Sequence, residues 1–223
     1  MDHINFKVED YSYHMSEEIK NLRTNIKFAG EDKRVIMVTS CIQGEGKSGT
    51  SFKLARSFTE LNKKVLLIDA DLRASVFTGR VDGVKPKYGL THFLSGQAPF
   101  QDIVCSTNVH GLYACFSGPM APTPIELISR PIFENKINAL REKFDYIIID
   151  TPPIGIIIDA AIIARFCDAS ILVVQSGGVN YKFLQNVKRK LEDTGCLLVG
   201  VVLTKVTSQH RQKYSQKYYT KYE

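Results

Sequence analysis

The sequence predicts an α/β domain, a doubly wound and mainly parallel sheet flanked by helices, on three observations. Six short runs rich in β-branched residues indicate buried strands, and helical patterns separate them. Three of these runs lead into turns that carry glycine, lysine or aspartate, as the ligand-binding edge of such a sheet does. The chain has 223 residues, 44% of them hydrophobic, which suits one domain with a sizeable core. The six runs begin near residues 35, 65, 112, 146, 170 and 197.

We expect residues 1–205 to form this domain and residues 206–223 to form a flexible tail. The tail has few aliphatic residues and no hydrophobic period, so it cannot bury enough apolar surface to fold alone. It contains the basic residues Arg211, Lys213, Lys217 and Lys221 and the tyrosines Tyr214, Tyr218, Tyr219 and Tyr222. Basic segments with aromatic residues also bind single-stranded nucleic acid. Because no other basic patch accompanies the tail, we expect no nucleic-acid partner.

Composition argues against several classes of protein. The formal net charge is +6, from 29 basic and 23 acidic residues, which is a modest excess. No apolar run approaches the roughly 18 residues that a membrane-spanning helix needs, and the first residues do not resemble a secretory leader. A cytosolic protein is expected. The five cysteines form no C-x-x-C pair, so we expect reduced core thiols rather than a zinc or iron–sulfur site.

The N-terminal part of the chain predicts one amphipathic helix. Residues 1–15 show no period and are assigned no structure. A helix is expected over residues 16–28, with Ser16 as its N-cap. Its apolar face repeats at helical spacing through Ile19, Leu22 and Ile26. Its other face carries charges three and four residues apart, Glu17, Lys20, Arg23 and Lys27, which could pair within the chain or between chains.

A glycine-rich turn between a strand and a helix predicts a phosphate-binding loop. The apolar run 35–38 precedes the turn, and helical spacing resumes after it. Gly44 and Gly46 let backbone N–H groups face a phosphate, Lys47 can reach its oxygens, and a serine hydroxyl can bind Mg²⁺. The full pattern has glycine where this chain has Cys41. The predicted phosphate-binding residues are Gly44, Glu45, Gly46, Lys47, Ser48 and Gly49.

Three carboxylates follow two further buried strands. Asp69 and Asp71 come after the apolar run 65–68, and Asp150 ends the run 146–149 before two prolines stop the strand. Since the carboxyl ends of parallel strands meet at one edge, these aspartates are expected to face the phosphate-binding loop. Carboxylate and hydroxyl oxygens suit Mg²⁺. We therefore predict a metal site at Ser48, Asp71 and Asp150.

The remaining elements are predicted from spacing alone. Residues 74–124 are glycine-rich and irregular, with a helix near 89–94 and a strand near 112–116. The prolines at the start of the segment 122–128 predict the beginning of a helix. Another helix is expected over residues 180–194, between the last two strands. This part of the chain indicates little about chemistry.

Three motifs, in this order, resemble those of the bacterial tyrosine kinases of capsule and exopolysaccharide systems. They are the loop 44–48, the aspartate-rich turn 69–73 and the segment 150–153, which match Walker A, A′ and B over nearly the whole chain. The tyrosine cluster in the tail is a further feature of that family. Its E-x-x-R-x-x-R helix, which mediates ring assembly, is matched by Glu17, Lys20 and Arg23. Lysine at the middle position keeps the charge but loses the planar fork of arginine.

The resemblance implies an ATP-dependent protein-tyrosine autokinase of the P-loop ATPase fold. It would transfer the γ-phosphoryl group of ATP, with Mg²⁺, to the tail tyrosines of a neighbouring subunit in an oligomer. The catalytic residues would be Lys47, Asp69, Asp71 and Asp150. Asp69 is our candidate for the base that accepts the tyrosine proton, although Asp71 stays open for that role. Thr204 and Lys205 stand where relatives often have asparagine near the adenine, so no base contact is assigned.

The resemblance also implies partners and a location. Family members of this size work with a membrane-embedded activator, a polysaccharide chain-length regulator whose cytoplasmic end completes the kinase. The protein would then lie at the inner face of the cell membrane through that partner. Further expected partners are other copies of the chain in a ring, other tyrosine-phosphorylated proteins and a cognate tyrosine phosphatase.

A second hypothesis is a nucleotide-switched ATPase that recruits a partner and hydrolyses ATP slowly. ATPases of DNA partition and division-site placement share the same fold, and their phosphate-binding loop carries an additional lysine five residues before the main one. Ile42 stands at that position here. The kinase hypothesis is favoured accordingly.

Overall fold

The computed structural model describes residues 1–8 and 10–206. The predicted phosphoacceptors Tyr214, Tyr218, Tyr219 and Tyr222 lie outside the described residues, as does nearly all of the tail.

The described residues contain nine strands, which form a single mixed and mostly parallel sheet. The strands are β1 (His3–Phe6), β2 (Val35–Ser40), β3 (Val65–Asp69), β4 (Val81–Asp82), β5 (Val104–Thr107), β6 (Leu112–Cys115), β7 (Tyr146–Asp150), β8 (Ala169–Gln175) and β9 (Leu197–Thr204). Their order across the sheet is β4-β1-β5-β6-β3-β7-β2-β8-β9. Only β1 with β4 and β5 with β6 pair antiparallel within this sheet. The predicted fold class is confirmed.

All six predicted strands are present, but the count of six was wrong. The three strands that the sequence did not reveal, β1, β4 and β5, extend one side of the sheet. They have two to four residues each. A run this short cannot show alternation, and neighbours in the fold rather than local sequence decide its conformation.

Eight α-helices connect these strands in the described part of the chain. They are α1 (Tyr13–Phe28), α2 (Lys47–Thr59), α3 (Leu90–Leu94), α4 (Phe100–Ile103), α5 (Pro124–Ile128), α6 (Pro131–Leu140), α7 (Asp159–Ala164) and α8 (Tyr181–Glu192). A short 3₁₀ helix, Phe77–Arg80, follows β3.

The first helix begins earlier than predicted, so the assignment of Ser16 as N-cap was wrong. Ser12 is the N-cap, and its hydroxyl accepts a hydrogen bond from the Met15 amide at 3.3 Å. Residues 13–15 form a first turn that projects into solvent, with Tyr13 82% exposed. Because that turn buries no apolar side chain, it left no hydrophobic period in the sequence.

Hydrophobic cores cover both faces of the sheet. The strands β2, β3 and β7 lie at its centre, and β2 and β3 are buried along their whole length. One core packs α2 and the inner side of α1 against one face, and the other core contains residues of α3 and α5 to α8. All five cysteines are buried and unpaired, as predicted. None of the described helices is long and apolar enough to cross a membrane.

Candidate active site

The order β3-β7-β2 at the centre of the sheet brings the three sequence motifs together. Asp69 pairs in register with Asp150 across β3 and β7, and Asp150 pairs with Val38 of β2. The phosphate-binding loop follows β2 by way of Ser40. Strand ends, not flexible loops, therefore place the carboxylates beside the loop, as the sequence predicted.

The phosphate-binding loop adopts the backbone that its glycines allow. Gly44 and Gly46 have φ angles of 83° and 92°, in the left-handed region that favours glycine. Helix α2 starts at Lys47, so its unpaired N–H groups and the positive end of its dipole face the loop. Cys41 is not among the described residues with positive φ, which explains why glycine is not required at that position.

The side chain of Glu45 organises the loop from inside. Glu45 is 1% exposed, and its carboxylate accepts hydrogen bonds from the amides of Cys41 at 2.7 Å and Ile42 at 2.9 Å. A third bond comes from the Gln175 amide at 3.1 Å. The sequence predicted Glu45 as a phosphate-binding residue, but its carboxylate is occupied by protein amides. Only its main chain is left for a bound phosphate.

The end of β9 also holds the loop, which sequence reasoning did not foresee. The Thr204 hydroxyl donates to the Glu45 carbonyl at 2.6 Å. The Lys205 ammonium donates to the Gly44 carbonyl at 2.9 Å and to Gln175 Oε1 at 2.8 Å. Lys205 has a φ of 53°, a conformation rare for lysine. Nothing local in the sequence indicates the two contacts with the loop, because they join residues about 160 positions apart.

Lys47 lies between two of the predicted carboxylates. Its ammonium is 3.1 Å from Asp71 Oδ2 and 3.5 Å from Asp150 Oδ2. Burial favours the neutral amine, but Asp150 and Asp71 outweigh it and raise the pKa of Lys47. The side chain is therefore a buried cation, held where it can offset negative charge.

Asp150 is buried and has polar partners on α2. It accepts hydrogen bonds from the Ser48 hydroxyl at 2.6 Å and from the Ser51 hydroxyl at 2.8 Å. Burial raises the pKa of Asp150, while Lys47 and the two serines oppose that shift. The sequence predicted Ser48 but missed Ser51. The available signal was its position four residues after Lys47, on the same face of α2.

Asp69 is buried against hydrogen-bond donors from two other segments. It accepts bonds from the Ser75 hydroxyl, from the Asp71 amide at 3.3 Å and from the Ser117 amide at 3.4 Å. Burial, together with the charge of Asp150, raises the pKa of Asp69 to about 7. Ser75 and Ser117 were not predicted, since neither belongs to a recognisable motif.

The oxygen atoms near the loop suit a nucleotide-bound Mg²⁺ rather than a metal held by protein alone. No group of three or more His, Cys, Asp or Glu side chains in the described residues could hold a metal ion. Mg²⁺ commonly takes one or two carboxylates, a hydroxyl, water and substrate phosphates. Ser48, Asp71 and Asp150 supply that set, because the Lys47 ammonium and the Ser48–Asp150 bond bring them together.

The predicted oligomerisation residues lie on α1, which packs against α2. Lys20 pairs with Glu17 at 2.8 Å, and both side chains are partly exposed. Arg23 is only 11% exposed and binds its own chain, through the Ser57 carbonyl and Glu60 Oε2 at 3.4 Å. Arg23 therefore pairs within its own chain, which is one of the two kinds of pairing that the spacing allowed.

Comparison with known proteins gives one family match that spans most of the chain. A family model described as an AAA domain matches residues 33–193. The tyrosine-protein kinase CpsD of Streptococcus pneumoniae is 48% identical over 192 residues, which cover 86% of this chain and 85% of that protein.

Solved structures share the fold. The kinase domain of the Escherichia coli tyrosine kinase ETK superposes with a TM-score of 0.79 at 28% identity, covering 86% of this chain and 78% of the other. The septum site-determining protein MinD of Pyrococcus horikoshii, solved with Mg-ADP, gives a TM-score of 0.63 at 26% identity and covers 76% and 69% of the two chains.

Proposed function

The chain belongs to the family of bacterial tyrosine-protein kinases that includes CpsD, and we propose that it phosphorylates the tyrosines of its own tail, in trans within an oligomer. As a protein-tyrosine kinase with a P-loop domain it binds nucleotide, and we take the nucleotide to be ATP with Mg²⁺. The phosphorylation cycle would regulate capsule or exopolysaccharide synthesis and export. Residues 1–205 would supply the kinase and residues 206–223 its substrate.

One observation carries this proposal: the Lys47 ammonium stands between Asp71 and Asp150 at the start of a phosphate-binding helix. Such an arrangement suits phosphoryl transfer, in which positioning and charge neutralisation supply most of the catalysis. Lys47 would hold γ-phosphoryl oxygens and offset the charge that develops on them. Ser48, Asp71 and Asp150 would hold Mg²⁺, which when bound neutralises phosphate oxygens.

Asp69 would accept the proton of the attacking tyrosine. A tyrosine hydroxyl has an ordinary pKa of about 10, so at neutral pH it needs an acceptor. The raised pKa of Asp69, about 7, suits that task. Asp71 is less suited, because its carboxylate is paired with the Lys47 ammonium, whereas the partners of Asp69 are a hydroxyl and two amides. The Ser75 hydroxyl, bonded to Asp69, stands where we place the substrate hydroxyl.

The described chain ends at the edge of the sheet that carries the site. Val206 follows Lys205, whose ammonium contacts the phosphate-binding loop. The tail therefore starts beside the active site, which supports delivery of its tyrosines to a site of this kind in an adjacent subunit.

Phosphorylation in trans can be tested with two complementary full-length variants. The first, Lys47→Met, keeps every tail tyrosine. The second replaces Tyr214, Tyr218, Tyr219 and Tyr222 with phenylalanine. After incubation of their mixture with ATP and Mg²⁺, intact mass should show phosphoryl groups on the Lys47→Met chain, because the second chain supplies the active site. Neither variant alone should gain mass.

The same mixture distinguishes the second hypothesis. If ATP is hydrolysed to free phosphate while both masses stay constant, also with the activator's cytoplasmic peptide present, the chain is a nucleotide-switched ATPase and the kinase proposal fails. The membrane-embedded activator, a phosphatase and other phosphorylated proteins stay proposed partners. So does a location at the inner face of the membrane. If that activator is needed, its cytoplasmic peptide should increase the rate of phosphorylation.

We also propose that α1 contributes to a ring-like homo-oligomer. Exposed ion pairs are worth only about 0.2 to 1 kcal/mol each, so a ring held by Glu17 and Lys20 should dissociate as salt is raised. Glu17→Ala with Lys20→Ala should lower the mass measured by light scattering, starting from conditions where wild type is oligomeric.

A control pair is available on another helix. Lys188 and Glu192 of α8 are 3.2 Å apart and about half exposed, so their replacement by alanine should leave the mass unchanged. Arg23→Ala is a poorer probe, because it also removes contacts between α1 and α2. An unchanged mass after the Glu17 and Lys20 replacements would place the interface elsewhere.

A further inference from the structure

Arg73, in the turn after β3, is joined to the segment that follows β7. Its guanidinium donates two hydrogen bonds to the Asp159 carboxylate, from Nε at 2.8 Å and from a terminal nitrogen at 3.1 Å. The Asp159 side chain is fully buried, in the first turn of α7. A two-point bond of this kind fixes orientation as well as distance. None of the roles described above uses this pair.

Asp159 follows a segment that contacts both β2 and the phosphate-binding loop. The Ile154 amide donates to the Thr39 hydroxyl of β2 at 3.1 Å. Gly155 packs so closely on the phosphate-binding loop that an added Cβ would lie 2.1 Å from the Cys41 carbonyl oxygen. Residues 154 and 155 are thus fastened to the strand and the loop, and Asp159, four residues further on, is itself fully buried, so that it can anchor Arg73.

The main chain at Arg73 holds the carboxylate of Asp71. Asp71 Oδ1 accepts hydrogen bonds from the Arg73 amide at 3.3 Å and from the Ala74 amide at 3.0 Å. Its other oxygen faces the Lys47 ammonium. The position of the backbone at residues 73 and 74 therefore sets the orientation of the Asp71 carboxylate.

We infer that Arg73 and Asp159 form a latch that positions Asp71 for a metal–nucleotide complex. The inference rests on the proposed function, in which Asp71 helps to hold nucleotide-bound Mg²⁺. Both latch residues are positioning residues, because their side chains bind each other and act on the site through the backbone. The latch should affect the contribution of Mg²⁺ to nucleotide binding and leave the phosphate-binding loop itself unchanged.

The test is ADP binding to the full chain by titration calorimetry, with and without Mg²⁺. The variants are Arg73→Ala, Asp159→Asn and the double variant. Groups that orient metal ligands typically contribute roughly 10- to 100-fold to metal affinity, so each single variant should reduce the Mg²⁺ enhancement of ADP affinity by about 10-fold or more. Metal-free ADP affinity should stay as in wild type. The double variant should be no worse than Arg73→Ala, since either change opens the latch.

The chain offers a matched control in a second arginine–aspartate fork. Arg141 binds Asp168 at 2.7 and 2.9 Å, and the Asp168 carboxylate holds the first amide of β2, at the opposite edge of the sheet. Arg141→Lys should leave the affinity for ADP unchanged, both with and without Mg²⁺. Arg73→Lys, which keeps the charge but loses the fork, should behave like Arg73→Ala.

Three outcomes would overturn the latch. The first is an unchanged Mg²⁺ enhancement in both single variants. The second is a double variant whose loss is the product of the two single losses, which would mean that the residues act separately. The third is an equal loss of metal-free affinity, which would mean general disruption. A wild-type chain that shows the expected Mg²⁺ enhancement but phosphorylates no tyrosine would refute the proposed function and leave the latch intact.

Discussion

Lys47→Met is expected to reduce tyrosine phosphorylation by at least roughly 10²- to 10³-fold, the loss typical when one preorganised charge-stabilising group is removed from an active site. Lys47 is the cation that faces Asp71 and Asp150, and its side chain is only 8% exposed. Intact mass after incubation with ATP and Mg²⁺ measures the effect.

The same substitution leaves two buried carboxylates without their cation. Removing one member of a buried charged cluster is costly, so we also expect lower stability in the absence of nucleotide. Lys63→Met is the control, because Lys63 pairs with Asp145 at 3.7 Å with both side chains about half exposed. Phosphorylation that continues at the wild-type rate in Lys47→Met would remove Lys47 from the mechanism.

Asp69→Asn is expected to lower the phosphorylation rate by roughly 10²- to 10⁴-fold, the usual contribution of a general base. Because burial and Asp150 raise the pKa of Asp69 to about 7, the wild-type rate should increase as pH rises through that value. The Asn variant should lose this pH dependence along with its activity. A wild-type profile that is flat between pH 6 and 8 would assign the proton to another acceptor.

As pH rises, the contribution of Asp69 to stability should change in the opposite direction to the activity. An unfolded aspartate has a pKa of about 3.9, so the native state keeps the Asp69 proton to higher pH than the unfolded chain does. Its contribution to the free energy of unfolding is thus present below about pH 4 and is lost as pH rises towards 7. At pH 8, Asp69→Asn should raise that free energy, by roughly 1 to 4 kcal/mol.

Asp168→Asn is a control, because the pKa of Asp168 is shifted in the opposite direction to that of Asp69. Burial acts to raise the pKa of Asp168, but hydrogen bonds from Arg141 and from the amides of Val35 and Arg34 lower it overall. Its contribution is therefore present above the unfolded pKa and lost in acid, so this variant should be less stable than wild type at pH 8. Urea unfolding at pH 5 and pH 8 measures the free energy of unfolding of both variants. A destabilised Asp69→Asn at pH 8 would contradict the assigned pKa.

The centre of the sheet was predictable because its strands are buried on both faces. Runs such as Val35–Ser40 and Tyr146–Asp150 are almost wholly apolar until the residue that enters the site. Such runs are recognisable locally, and the rules of parallel sheets then bring their carboxyl ends together. The positions of Lys47, Asp69 and Asp150 followed from that reasoning.

The hydrogen-bond partners of those residues were not predictable, because they depend on the tertiary structure. The amide of Ser117 meets Asp69 only once β3 and β6 have paired. The hydroxyl of Ser75 reaches Asp69 through the irregular turn after β3, which shows no periodic pattern in the sequence. Arg23 illustrates the same point. Its spacing left open whether it pairs within the chain or between chains, and the packing of α1 on α2 buries it against the Ser57 carbonyl of its own chain.

The contact between Lys205 and the Gly44 carbonyl gives the phosphate-binding loop a mechanical connection to the tail. Any pull on the chain after Val206 acts first on Lys205, whose unusual φ of 53° depends on its surroundings. If such a pull loosens the loop, reciprocity requires that bound nucleotide resists the pull in equal measure. The start of the tail would then couple the affinity for nucleotide to any force on the chain beyond Val206.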